Sequence, residues 1–330
     1  MDSEGDYLTR LLNLRSHSIP SSTPKRNSRY MPSKRHRQKL ICIRLRGGLG
    51  NQLFTFATAR RLSYDSNLQL VVDGISGYSN DRFNRRPALD EFKLPVQHLT
   101  AEEVTSMYPL PRILLRKTNK ILPQRYRTYI SKNHLDFEPW LLTYIPKRRI
   151  VFEGYWHSHL YFQSIRSILL QELKPTDLVN NATELLTSIR LSFNTVAIHV
   201  RDFSSEDSNG LNLHRTYYSR AVSYISQHIA EPSFLVFSDN QQFAESILQP
   251  ILNYHYPVRY ISQSTQTTAA TELIAMSLCK HLITANSTFS WWSAWLKDSP
   301  GIIITPALTD LISSNAWGYE NLIPESWIQL

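Results

Sequence analysis

The apolar residues settle into a strand rhythm at Leu40. Ile41, Ile43 and Leu45 alternate with Cys42, Arg44 and Arg46, the two-residue period of a half-buried strand. Gly47-Gly48-Leu49-Gly50 follows, and Asn51–Leu62 then reads as a helix. Leu68–Asp73 supplies a second strand, so this stretch predicts a βαβ unit with a glycine loop at the carboxyl end of its first strand. Residues 100–150 read mainly as helix, broken by Pro109, Pro111, Pro123, Pro139 and Pro146. Strand-like runs then recur at Val196–Val200, Phe234–Phe237, Val258–Ile261, Leu282–Thr284 and Ile302–Ile304. Helical patterns at Thr216–His228, Gln241–Leu252 and Thr268–Lys280 separate most of them. That alternation predicts a second, parallel, doubly wound sheet. The expectation is a two-lobed α/β protein with a cleft between the lobes, without internal repeats.

Charge changes this picture mainly at the front. The 330-residue chain carries a net +9, distributed as +5 over residues 1–38, +4 over 39–100, +6 over 101–150 and −6 over 151–330. The Ser, Pro, Lys and Arg content of residues 16–38 reads as a flexible basic tail. Such asymmetry points to nucleic acid, an anionic membrane or a polyanionic ligand. A hydrophobic fraction of 42% and an aromatic fraction of 11% exclude a mostly disordered chain. Cys42 and Cys279 are too few for a disulfide framework, and no Cys/His cluster has structural-zinc spacing. No apolar run approaches the ~20 residues of a membrane span and no signal-peptide pattern opens the chain. The expected setting is the cytoplasm, with the basic tail as a peripheral hold on an anionic membrane surface.

Ligands of open α/β sheets bind beyond the carboxyl ends of the strands. There the pattern sets Val196, Ile198 and Val200 on one face and His199 and Arg201 on the other. Two more strands run into Ser238-Asp239-Asn240 and into Thr284-Ala285-Asn286-Ser287-Thr288. These small polar residues either line a binding rim or cap the helices that follow. Ser287–Leu296 opens a helix whose N–H groups and hydroxyls would cradle a diphosphate, while Trp292 and Trp295 read as packing. Three of the ten glycines fall within positions 47–50, which marks Gly48 and Gly50 for a tight turn or a close backbone approach to a ligand. A dinucleotide fingerprint is poorly matched, because Leu53 stands where its third glycine belongs. No Asp-x-Asp pair is present to hold a divalent ion against a diphosphate, so no metal is expected.

Several motifs, in consistent order, resemble the glycosyltransferase family 11 α-(1,2)-fucosyltransferases. Gly47-Gly48-Leu49-Gly50-Asn51-Gln52-Leu53-Phe54 resembles the family's opening motif, and Glu153–Phe162 its Gly-Tyr-Trp-Gln-Ser segment. His199-Val200-Arg201 matches the start of its His-x-Arg-Arg-x-Asp motif, and Leu278–Leu296 resembles its closing block. The resemblance implies a GT-B fold of two facing Rossmann-like domains: an acceptor-side domain over 39–190 and a donor domain over 191–330. It implies metal-independent, inverting transfer of L-fucose from GDP-fucose to the 2-hydroxyl of a terminal β-galactose in an acceptor glycan. Carried over by position, Arg201 would neutralise the leaving diphosphate and Asn51 would face the cleft, and these two are the candidate catalytic residues. His199 and Asp239 would address the nucleoside end, and Ser287, Thr288 and Ser290 the phosphate oxygens, with Gly48, Gly50, Ser238 and Asn286 completing the donor-binding set.

One departure bears on activity. After Arg201 the chain reads Asp202-Phe203-Ser204, where the family has a second Arg, a small residue and an Asp. Either Asp202 points away, or Arg215 or another cation replaces the missing one, or donor use has changed. Glu206 and Asp207 are candidates for the base that takes the acceptor proton, against the alternative of a solvated acidic loop. Two other functions stay open: a catalytically altered nucleotide-sugar or glycan binder, and a nucleic-acid binder. The second is disfavoured because the motifs lie in a cleft rather than on a basic helix.

Overall fold

The computed structural model describes residues 39–108, 110–132, 137–175, 186–189, 194–204, 212–252, 255–261, 268–307 and 321–330, all within one compact unit, Gln38–Leu330. The basic tail and the expected boundary at 190/191 lie outside the described residues.

The front lobe runs β1 (Leu40–Arg44), α1 (Leu49–Ser66), β2 (Gln69–Asp73), β3 (Gln97–His98), α2 (Ala101–Met107), α3 (Arg112–Ile121), β4 (Tyr129–Lys132), α4 (Trp140–Thr143), β5 (Ile150–Gly154) and α5 (Arg166–Glu172). Its strands lie in the order β3-β2-β1-β5-β4, all parallel. The expectation of a half-buried first strand is corrected: every residue of β1 is buried, because a parallel sheet is covered on both faces. The mainly helical reading of 100–150 holds for α2 and α3 but passed over β4, a four-residue strand set among prolines and basic residues.

The back lobe runs β6 (Thr195–Val200), α6 (Arg215–His228), β7 (Ser233–Ser238), α7 (Gln241–Leu252), β8 (Val258–Ile261), α8 (Ala269–Leu278), β9 (His281–Ile283), α9 (Thr288–Trp295), β10 (Ile303–Thr305) and β11 (Ile328–Gln329). Its parallel order is β11-β10-β9-β6-β7-β8, so the winding reverses between β6 and β9. That reversal opens a crevice at their carboxyl ends.

The lobes meet where α1 and α9 begin. A Cβ on Gly50 would stand 2.5 Å from the Thr288 carbonyl carbon and 2.5 Å from its Oγ1. Gly50 therefore serves a helix–helix approach, which corrects the expectation that it makes room for a ligand. Since α1 follows β1 and α9 follows β9, the contact turns the carboxyl ends of the two sheets towards each other. One turn on, Phe54 packs against Trp291 (ring centroids 4.5 Å) and Trp292 (5.2 Å), while Phe162 stacks on Trp292 at 5.2 Å. Glu91 adds a polar tie by accepting from Ala270 N at the start of α8 (2.8 Å).

Glu153 organises the carboxyl edge of the front sheet. Buried at the end of β5, it accepts from Arg44 on β1 (2.6 Å), from Arg116 on α3 (2.5 Å), more distantly from Arg46 (3.5 Å), and from the Tyr129 hydroxyl on β4. Burial opposes its charge, but Arg116, Tyr129 and Arg44 outweigh it and hold the carboxyl at about 2.

Two outcomes follow for stability. Gly50→Ala should cost about 1–3 kcal/mol by forcing α1 and α9 apart, seen as a thermal midpoint a few degrees lower; an unchanged midpoint would mean that the helices do not meet there. A carboxyl depressed in the folded state stabilises above its unfolded pKa and loses that contribution as pH falls through the folded value. Urea titrations should therefore show stability falling between roughly pH 5 and 2. Glu153→Gln should flatten that acid slope and cost about 3–5 kcal/mol at neutral pH, since it leaves the buried Arg44 guanidinium without its counter-charge.

Candidate active site

At the β6/β9 reversal the chain brings together three strand exits. Arg201, just past β6, forms an ion pair with Asp239, just past β7. The second Asp239 oxygen accepts from the Asp202 backbone N–H (3.0 Å). Burial raises the Asp239 carboxyl above its ordinary value, against the Asp202 N–H and Arg201, which both lower it. Asp202 itself turns elsewhere: its carboxylate accepts from Ser204 N (2.9 Å), Asn240 Nδ2 (2.9 Å) and Asn212 Nδ2 (3.3 Å). Burial opposes its charge, but these donors hold its pKa below the usual range, so Asp202 is an anion engaged with the loop around it. Arg215 supplies no replacement cation here, since it donates to the Ser246 carbonyl on α7 (3.2 Å). Glu206 and Asp207 lie outside the described residues.

His199 lies at the exit of the same strand as Arg201. It is buried at the end of β6 near the ring of Phe289 (5.7 Å), and the Tyr218 hydroxyl donates to its carbonyl (3.2 Å). Burial, helped by Arg201, lowers its pKa to about 3, so the imidazole is neutral. Its Nδ1 is buried without a hydrogen-bond partner, and so is the Thr284 Oγ1. Thr284 sits beyond Ile283, the residue paired with Ile198, so the two orphaned atoms belong to neighbouring strand ends. Buried polar atoms without partners are uncommon in folded proteins and call for an explanation.

The small polar residues divide between capping and the crevice. The Ser238 hydroxyl bonds both N (3.1 Å) and O (3.0 Å) of Asn240, whose Oδ1 accepts from Phe243 N (3.1 Å) at the start of α7. Ser287 caps α9 by accepting from Phe289 N (3.3 Å). Ser290 is fully buried, with its hydroxyl bonded to the backbone of Ala285 and Ser287, so it closes the β9–α9 turn and does not present itself to phosphate. This corrects its assignment as a phosphate ligand. Asn286 is buried at the same turn, and Thr288 lies against Gly50. The first turn of α9, the positive end of its dipole, begins just beyond β9 at this reversal, with Gly50 packed against it and the Phe289 ring near His199.

From the front lobe, Gly47 takes a left-handed backbone (φ +73°), with the Tyr155 hydroxyl 2.9 Å from where a Cβ would lie. Gly48 has open space around the same point. Gln52 is buried and fastens the loop, donating to Gly47 O (3.0 Å) and Arg86 O (2.9 Å) and accepting from Ala88 N (2.8 Å). Asn51 accepts through Oδ1 from His157 Nε2 (3.0 Å), and Tyr155 stacks on His157 at 5.5 Å. Burial, with Lys132 nearby, lowers the His157 pKa to about 3, so this pair is a neutral one. A separate cavity of about 780 Å³ opens at the edge of the front sheet, lined by Arg44, Arg46, Ser76, Tyr108, Arg112 and Arg116 among others.

Sequence reasoning missed the roles of His157 and Glu153, although both fall in quoted motifs. The available signal was a carboxylate ending the apolar run Ile150-Val151-Phe152 in a chain with arginines at the ends of neighbouring strands. Gln52 gave no such signal, since a glutamine on a helix reads as solvated.

Comparison with known proteins places this geometry. The Glycosyl transferase family 11 model matches residues 16–321. The Alpha-1,2-colitosyltransferase of Escherichia coli is 28% identical over 300 residues, 88% of this chain and 99% of that protein. Galactoside alpha-(1,2)-fucosyltransferase 2 of Gorilla gorilla gorilla is 22% identical over 270 residues, 78% of this chain and 69% of its own. Among solved structures, NodZ alpha-1,6-fucosyltransferase soaked with GDP-fucose superposes with a TM-score of 0.52 at 17% identity, covering 84% of this chain and 97% of its own. FUT1 of Arabidopsis thaliana in complex with GDP gives 0.52 at 15%, covering 85% and 73%. The shared architecture is the GT-B arrangement of two facing α/β lobes. With the front sheet, the glycine loop, the α9 block and every strand of the back sheet but β11 inside the matched span, the chain belongs to glycosyl transferase family 11.

Proposed function

We propose that this glycosyltransferase moves L-fucose from GDP-fucose to the 2-hydroxyl of a terminal β-galactose, with inversion and without a metal. The observation that carries the reading is the convergence of Arg201, Asp239 and the start of α9 at the β6/β9 reversal, beside the orphaned polar atoms of His199 and Thr284. As the sugar–phosphate bond breaks, negative charge gathers on the departing diphosphate. A fixed guanidinium and a helix N-terminus stabilise that charge more than they stabilise the ground state. Asp239 is a positioning residue in this scheme. The forked guanidinium can hold its carboxylate and a phosphate oxygen together. Asn51, fixed by neutral His157, meets the acceptor from the front lobe. Relatives named for fucose and for colitose transfer support a deoxyhexose donor.

A second reading, a nucleotide-sugar binder without turnover, rests on Asp202 standing where the family pattern has a second Arg, with Arg215 engaged elsewhere. The test is incubation with GDP-fucose and a panel of β-galactosides, with product linkage read by NMR. The expected result is α-linked fucose on the 2-hydroxyl. Arg201→Ala should lower kcat/KM by about 10²–10³-fold, with Arg201→Lys falling between. If GDP binds by calorimetry while no acceptor is fucosylated, the second reading stands and the first is lost.

A further inference from the structure

Helix α3 is amphipathic in an inverted sense. Its inward side is held by Leu115 and by Asn119, a buried polar residue whose Oδ1 accepts from Thr128 N (2.7 Å) and Tyr129 N (3.0 Å). Its outward side carries Ile113 (69% exposed) and Ile121 (86% exposed) together with Leu114. Leu110 before the helix and Leu122 and Tyr126 after it are also exposed. Large aliphatic side chains gathered in this way on a surface mark a contact site.

The charge around them identifies the partner. Residues 110–132 contain seven Lys and Arg and no Asp or Glu. At 100° per residue, Lys117 and Lys120 lie on the same outward face as Ile113, Ile121 and Leu114. An apolar stripe studded with cations is the arrangement that lies in the interface of an anionic bilayer, with aliphatic groups below the headgroups and ammonium groups among them. A second copy of the chain is a poor occupant, because a two-fold contact would set this all-positive surface against itself.

We propose that α3 and the turn behind it, residues 110–126, dock the front lobe on an anionic lipid surface. The helix shares Arg112, Ile113 and Arg116 with the lining of the front cavity, so docking brings that cavity to the plane of the headgroups. This contact is distinct from any made by the basic tail and needs no spanning segment. No helix among the described residues is long and apolar enough to cross a membrane.

The test uses the full chain and a reporter on the helix. Cys42 and Cys279 are both buried, so an environment-sensitive fluorophore on Ile121→Cys labels one exposed thiol among the described residues. With phosphatidylcholine vesicles containing phosphatidylglycerol, the fluorophore should brighten and shift to the blue. It should not respond to phosphatidylcholine alone, and the response should fade in about 0.5 M salt. In co-sedimentation, Ile113→Asp with Ile121→Asp should weaken vesicle binding at least about tenfold, and so should Lys117→Glu with Lys120→Glu. All four side chains are exposed, so the thermal midpoint should not move. The proposal is overturned if the protein sediments with vesicles while the fluorophore stays dark, which would place binding elsewhere. It is equally overturned if both double variants bind like the parent, or if the fluorophore responds to protein concentration without lipid.

Discussion

The first turns of α1 and α9 can touch only because position 50 has no side chain, and everything that resembles a catalytic site depends on that touch. Each lobe is a complete parallel sheet with its own switch point. Neither alone places a donor opposite an acceptor. The Gly50–Thr288 approach brings the two carboxyl edges face to face, and the aromatic contacts of Phe54 and Phe162 with Trp291 and Trp292 hold them there. Aromatic pairs of this kind contribute about 0.5–1.5 kcal/mol each beyond the area they bury. A packing constraint thus sets the geometry on which the proposed chemistry rests.

Electrostatics then separates the lobes by task. In the back lobe, which is net acidic over its sequence, a local cation and a helix terminus sit at the one crevice where the strand order reverses. Bulk charge there says little, because the ion pair of Arg201 with Asp239 and the loop-bound carboxylate of Asp202 are settled within a few residues. In the front lobe, three guanidiniums share one buried carboxylate, Glu153, and still leave the cavity beside them positive. The same excess continues along α3 to the outer surface.

Most of the fold was legible because short apolar runs alternating with helical patterns mark the strands and helices of a parallel α/β sheet. Val258–Ile261 and Gln241–Leu252 are where the periodicity put them. What failed was short or doubly buried. β4 has four residues, too few for a period to show. The faces of β1 and β6 could not be told apart, because in a parallel sheet the polar alternates are buried too, as Arg44 and His199 are. In the candidate site, motif order led to the crevice at the β6/β9 reversal, yet it could not separate residues that face it from residues that cap helices or close turns around it. Ser238, Ser287 and Ser290 are all small, polar and at strand ends, and only their hydrogen bonds show that they cap or close turns. That Asp202 points away from Arg201 was one of three alternatives the sequence left open. Its hydrogen bonds to Asn212 and Asn240 depend on two loops meeting, which no local pattern reports.

The central claim is that the nucleotide of the donor binds at the β6/β9 reversal against Arg201 and α9. Hydrogen-exchange mass spectrometry of the protein with and without GDP tests it most directly. Exchange should slow at residues 199–202, 238–240 and 284–290, with the front cavity around Arg44 and Arg116 unchanged. Protection confined to that front cavity, or none at the back-lobe strand ends while GDP is bound, would contradict it.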